Sequence, residues 1–254
     1  LETDLRPDQR EDLDVVISSA YALLSLINNL LDFSKIEADR FELEEAPFDL
    51  RDFMKDTLNM MGMRTQTKGL ELAYRVAGDV PDRLVGDPGR LRQILLNLIE
   101  NAVKFTDEGE VVVNVTSDRH SDKKAYLNFS VEDTGIGIPR EKQKDIFSPF
   151  KQVDAKTTNQ YGGTGLGLAV SSQLVSLMGG ELSIVSEFGH GSRFEFTAAL
   201  ERLAEQVLAT VGPTVDGLKK ARILVVDGDR TEAGRGQRRQ LVAPRVGELG
   251  EAMQ

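Results

Sequence analysis

The chain has 254 residues, is 40% hydrophobic but only 6% aromatic, and carries a net charge of −10 with no cysteine. That length holds one sizeable domain with appendages, the acidic balance argues against nucleic acid as a partner, and disulfides and thiolate metal sites are excluded. Two histidines, His120 and His190, are too few for a multi-histidine centre, and the uninterrupted apolar runs fall short of the ~20 residues that span a bilayer.

The pattern predicts one long helix from about Pro7 to Asp39. Pro7 suits its first turn, and Asp8, Glu11 and Asp12 favour the N-terminal dipole. Leu13, Ile17, Ala20, Leu24, Ile27 and Leu31 form a heptad-like seam, widened by Val16, Leu23 and Leu30, which calls for burial in a helix bundle. Phe41–Glu45 alternates as a short strand. Asp49 caps a helix reaching about Met63, with Phe53, Leu58 and Met61 inside. A strand through Leu70, Leu72, Tyr74 and Val76 precedes a helix over Pro88–Phe105, whose core side is Leu91, Ile94, Leu95, Leu98 and Ala102.

Strands are expected at Glu110–Thr116 and Ala125–Asp133, with His120 in a solvated turn between them. A short helix begins at Pro139 and ends near Phe147, and Phe147 and Phe150 are core or hinge anchors for the loop between them and Gly162. A further helix buries Ala169, Val170, Leu174, Leu177 and Met178 and stops at Gly179-Gly180. Strands Glu181–Ser186 and Ser192–Leu200 close a hairpin through Phe188–Gly191, with His190 a turn residue. Such clustering indicates an α+β fold. Beyond Leu200 come a linker, the apolar strand Arg222–Asp227, and a Gly- and Arg-rich stretch with little periodicity.

Three elements carry chemistry. Asn97, Asn101 and Lys104 share one face of the Pro88–Phe105 helix. An amide oxygen such as that of Asn101 is a hard donor that suits Mg²⁺ beside phosphates, and Lys104 can neutralise phosphate charge. Asp133-Thr-Gly135-Ile-Gly137-Ile-Pro139 ends an apolar strand, where a carboxylate can accept a hydrogen bond from an exocyclic amine such as adenine N6. Gly162-Gly163-Thr164-Gly165-Leu166-Gly167 opens a helix, so free N–H groups and the dipole face a ligand. No Lys-Ser/Thr pair follows, so this is not a P-loop, and no strand leads directly into it as a dinucleotide fingerprint requires.

With these motifs in place, Pro7 to Leu200 resembles the ATP-binding region of sensor histidine kinases of the hybrid type. Gln93–Thr106 resembles the family's N box, Asp133–Pro139 its G1 box, Phe147–Phe150 its F box, Gly162–Leu168 its G2 box and Gly189–Ser192 its last glycine turn. The resemblance implies a Bergerat-type sandwich, a mixed sheet with helices on one face, preceded by a dimerisation helix. Asn97 and Lys104 would act on the phosphates and Asn101 on Mg²⁺. Asp133, Gly135, Gly137, Ile138, Phe150, Gly163, Thr164, Gly165, Leu166 and Gly167 would line the ATP site, with Thr197 reaching the base through water and Lys151–Tyr161 forming a lid.

The implied organisation is 1–40 dimerisation helix, 41–200 catalytic domain, 201–218 linker and 219–254 a shortened receiver-like start. Ile27–Glu37 resembles the second helix of the dimerisation hairpin, but the preceding helix with the phosphoacceptor histidine is missing. Such a chain would form a cytoplasmic homodimer, by itself or as the cytosolic part of a membrane sensor, with no membrane segment within these residues. It would pass phosphate from Mg-ATP to a histidine elsewhere, with a histidine-bearing hairpin and a receiver as partners. Asn159 stands where many relatives carry a basic lid residue. Alternatives are a silent nucleotide-binding module and a gyrase- or chaperone-related ATPase. The latter is disfavoured because those enzymes place a glutamate where this chain has Asn97.

Overall fold

The structure, a computed structural model, describes residues 6–38, 40–120, 123–151 and 165–203. Helix α1 (Pro7–Glu37) opens with Pro7 at its first position and matches the sequence reading. The short strand that follows is β1 (Ala46–Asp49) rather than Phe41–Glu45. Phe41 and Leu43 instead pack against the core from an irregular segment, with the Arg90 guanidinium 4.8 Å from the Phe41 ring centroid. Helix α2 (Leu50–Lys68) is capped by the Asp49 carboxylate, which accepts from Asp52 N, and runs a turn beyond Met63 until Gly69 takes a left-handed conformation.

Strand β2 (Glu71–Val76) is followed by a strand the sequence did not signal, β3 (Arg83–Gly86). Helix α3 (Pro88–Phe105) has the expected bounds. Strand β4 (Glu110–His120) extends past Thr116, so the His120 backbone belongs to a strand and pairs with Ala125 rather than to a turn. Strand β5 is Lys124–Asp133. From Pro139 onward the chain makes turns and only a three-residue 3₁₀ segment, Asp145–Phe147, in place of the expected helix. Helix α4 (Gly167–Leu177) and the hairpin β6 (Leu182–Glu187) and β7 (Gly191–Arg202) follow. Leu177 is exposed rather than inside, whereas Met178 is buried. The linker after Arg202 and the receiver-like strand at 222–227 lie outside the described residues.

The strands form one mixed sheet in the order β1-β3-β7-β5-β4-β2, with β6 also paired to β7. β2 and β4 run parallel, and the other pairs are antiparallel. Val111, Val113 and Val115, then Leu127, Phe129 and Val131, then Phe194, Phe196 and Ala198 occupy the buried face. Period-two alternation puts them all on one side, where α2, α3 and α4 cover them. Phe129 and Phe196 stack there at 4.8 Å between centroids. The amphipathic pattern of α3 is fully used: Leu91, Ile94, Leu95 and Leu98 are wholly buried, each worth roughly 1.5–3 kcal/mol of hydrophobic stabilisation.

α1 differs. By length and composition it is the one helix among the described residues long and apolar enough to cross a membrane. Its seam residues Leu24 and Leu31 are 55% and 52% exposed. Among the described residues its polar ties to the rest of the domain lie in the last turns: Asp32, which is buried, pairs with Arg90 at 2.7 Å and accepts from Gln93 at 3.0 Å, fixing this end of α1 to the start of α3.

Candidate functional site

α3 is the frame of the site. Its start is fixed by Asp87, whose carboxylate accepts from Arg90 N and from Glu44 N, both at 2.9 Å. Its end is fixed by Lys68 from the last turn of α2. The ammonium group donates to the carbonyls of Val103, Lys104 and Thr106 at 2.9, 3.0 and 2.7 Å. Those carbonyls have no partner within a helix that stops here, and a cation also complements the negative end of the dipole. Nothing in the sequence singled out Lys68.

Along the frame, Asn97, Asn101 and Lys104 lie one turn apart, each half-buried. Asn97 donates from Nδ2 to Ser171 Oγ at 2.9 Å. The Asn101 amide has no hydrogen-bond partner among the described residues. Burial lowers the Lys104 pKa from its ordinary value, because desolvation disfavours the charged form.

The Asp133 turn is gripped from two sides. Ile136 N donates to Phe105 O at 3.2 Å, seating the turn on the end of α3. On the other side Ser186 Oγ accepts from Ile138 N at 2.7 Å, Gly189 N donates to Ile136 O at 2.8 Å, and Gln143 Nε2 bridges Ile138 O and Ser186 O. Gly137 is obligatory here: its φ is +67°, and a Cβ would overlap the Glu187 carbonyl.

Burial raises the Asp133 pKa, while the backbone N–H groups of Gly135 and Ser192 pull it back down by stabilising the carboxylate. The Gly135 N–H lies 2.9 Å from Asp133 Oδ1. Two donors leave acceptor capacity on the carboxylate for an outside amine.

The second glycine motif is described from Gly165 on, so Gly163 and Thr164, like Asn159 and the expected lid beyond Lys151, lie outside the described residues. Gly167 begins α4 against Asn97, and a Cβ there would overlap Asn97 Oδ1. Leu166 is buried beneath it. Phe150 is 64% exposed with φ +64°, so it is no core anchor, whereas Phe147 is half-buried against the core.

Thr197 is not brought to the site. It pairs with Asn128, five register positions along β7 from the Ser192–Asp133 pair, and its hydroxyl accepts from Glu181 N at 3.3 Å. Ser192 occupies the place opposite Asp133, with its Oγ 3.0 Å from Ser186 Oγ. Register, which decides between the two, is not readable from the sequence of one strand.

The structure thus gathers Asn97, Asn101 and Lys104, the Asp133 turn and the start of α4 around α3. Residues 86–202, from the end of β3 through β7, match the family profile of histidine kinase-, DNA gyrase B- and HSP90-like ATPases. The chain is 39% identical over 233 residues to the signal transduction histidine-protein kinase BarA of Escherichia coli (strain K12), covering 92% of this chain and 25% of that protein. It is 42% identical over 219 residues to the sensor protein GacS of Pseudomonas syringae pv. syringae, covering 86% and 24%. The crystal structure of full-length ShkA in complex with AMPPNP superposes with a TM-score of 0.66 at 36% identity, over 79% of this chain and 41% of that one.

The chain carries the ATP-binding catalytic domain of a sensor histidine kinase. It spans about a quarter of the length of the curated relatives it matches. The fold is the Bergerat-type sandwich.

Proposed function

We propose that this kinase domain holds Mg-ATP between α3, the Asp133 turn and the start of α4, and passes the γ-phosphate to a histidine nitrogen outside the chain. The observation that carries this reading is the stack of Asn97, Asn101 and Lys104 on α3, closed at one end by the Asp133 turn and flanked by the glycine that opens α4. The Asp133 carboxylate accepts a hydrogen bond from the adenine amine, and Gly135, Gly137 and Ile138 border the base. Lys104 and the helix-opening Gly165–Gly167 face the phosphates, where the anion reverses the effect of burial on the lysine.

The donor set fits a magnesium ion. Among the described residues no group of three His, Cys, Asp or Glu side chains could hold a metal, and the open Asn101 amide oxygen is the hard donor that such an ion takes alongside phosphates and water. Bound there, Mg²⁺ would neutralise charge on the phosphate oxygens. The chain's own residues contribute orientation: they hold the nucleotide so that the histidine nitrogen forms a bond to γ-phosphorus as the bond to the β-γ bridging oxygen breaks and ADP leaves.

α1 supplies the pairing surface. Its exposed seam is long enough for a homodimer in which a histidine-bearing hairpin is presented to the site in cis or in trans, with a receiver downstream and the assembly in the cytoplasm, where ATP is available. A silent nucleotide-binding module would share the pocket but transfer nothing. The test supplies γ-labelled Mg-ATP and a separate histidine-bearing hairpin. Acid-labile, base-stable label on the hairpin is the expected result, and ATP binding without any transfer would overturn the reading.

A further inference from the structure

We infer that Ser171 is a positioning residue for the phosphate end of the site, fixing the orientation of the Asn97 amide. The inference rests on the reading of Asn97 given above and adds a residue to it. Ser171 lies one turn into α4 and is 2% exposed. Its Oγ accepts from Asn97 Nδ2 at 2.9 Å, across a separation of 74 residues. The other end of the same amide meets the first residue of α4: a Cβ on Gly167 would overlap Asn97 Oδ1. The amide is therefore held at both ends by one helix turn, its nitrogen by Ser171 and its oxygen over the glycine.

The chemical consequence follows from what an amide can do. Its two ends are nearly the same shape but opposite in function, one a donor pair and the other an acceptor. Asn101 remains the direct donor to magnesium. Toward the waters that such an ion carries beside the phosphates, only the acceptor end of the neighbouring Asn97 amide is useful, and a donor turned that way would face the cation's charge. A free asparagine on a helix face samples both orientations. With its nitrogen committed to a buried hydroxyl, the Asn97 oxygen is the end left at the helix-opening glycine, beside the free N–H groups where phosphates are received.

Loss of the hydroxyl leaves the pocket shape intact, because alanine fits the same space and is the better helix former. What it removes is the constraint on the amide. Ser171 therefore acts through Asn97 and touches no nucleotide itself.

The experiment uses the full 254-residue chain and the non-hydrolysable analogue AMPPNP, titrated with excess Mg²⁺ and again in EDTA, for wild type, Ser171→Ala, Asn97→Ala and the double variant. Ser171→Ala is expected to weaken Mg-AMPPNP binding about tenfold and EDTA-AMPPNP binding less than twofold, and to add less than twofold in the Asn97→Ala background, as for residues that act as a unit. Equal loss with and without Mg²⁺, or an undiminished loss in the Asn97→Ala background, would overturn the inference. No effect of Asn97→Ala itself would instead sink the assignment of Asn97. An independent readout is the Asn97 side-chain NH₂ signal in ¹⁵N–¹H spectra of the ligand-free protein. Faster solvent exchange of that group in Ser171→Ala is expected, and unchanged exchange would count against the hydrogen bond.

Discussion

α1 and α3 carry similar aliphatic stripes, yet Leu91, Ile94, Leu95 and Leu98 of α3 are fully buried while Leu23, Leu24 and Leu31 of α1 are more than half exposed. α3 has its partners within the chain: the sheet beneath it, α2 and α4 beside it, and caps at both ends. Among the described residues α1 is tied through Asp32, Asn29 and the packed Phe33 and Ile36 near its end, and it meets α4. The contrast teaches that apolar periodicity specifies a buried face but not what buries it. In α3 the stripe stabilises the domain, and in α1 it stays largely exposed.

The comparison breaks most sharply at Leu98. Leu98→Ala should cost about 2–5 kcal/mol, because it leaves a cavity between helix and sheet. Urea unfolding of the described domain reads it directly, and a loss below 1 kcal/mol would mean that α3 is not the frame.

Next comes Lys68→Met. Deleting the ammonium removes the donor from three carbonyls, two before Phe105 and one after it, and should cost about 2 kcal/mol. Amide exchange at Ile136 should also accelerate, since its acceptor is Phe105 O.

Leu24→Ala and Leu31→Ala on α1 should change the unfolding free energy of the monomer by less than about 0.5 kcal/mol, as exposed substitutions do. The same variants should weaken self-association in sedimentation equilibrium. A large loss of monomer stability would mean that α1 packs on its own chain.

The smallest effect concerns Asp133. Its pKa is raised in the fold, so the protonated form is favoured there. Stability linked to it is fully present below the unfolded value, about 4, and is lost as pH rises through the higher folded value. Asp133→Asn should therefore melt slightly above the wild type at pH 7, and the gap should close as pH falls to about 4. A gap that widens on acidification would contradict the sign.

Much of α3 was legible because its signals are local. Pro88 marks the start, the i, i+3, i+4 spacing marks the core side, and Asn97, Asn101 and Lys104 fall on one face. The glycine motifs were legible as dense local clusters, and their glycines answer close contacts: Gly137 meets the Glu187 backbone carbonyl and Gly167 the Asn97 side chain. Strand β3 was not. It has four residues and pairs with β7 only through Leu84 and Val85, so its existence depends on β1 and β7 rather than on its own pattern. Phe41 and Leu43 mimic a strand because alternate residues of an extended segment also pack inward without a ladder. Ser171, Lys68 and Gln143 were invisible because each acts on a residue or backbone group distant in sequence or otherwise unremarked. Thr197 was misplaced because its role depends on register.

At the edge of the site, Phe150 N–H donates to the Gly165 carbonyl at 3.0 Å. That bond ties the segment following the Asp133 turn to Gly165, just before α4. Gly165 has φ +70°, and a Cβ there would press on the Phe150 backbone at 3.0 Å. The two borders of the site are therefore coupled through one backbone contact, and any side chain placed at Gly165 would shift the start of α4 against Phe150.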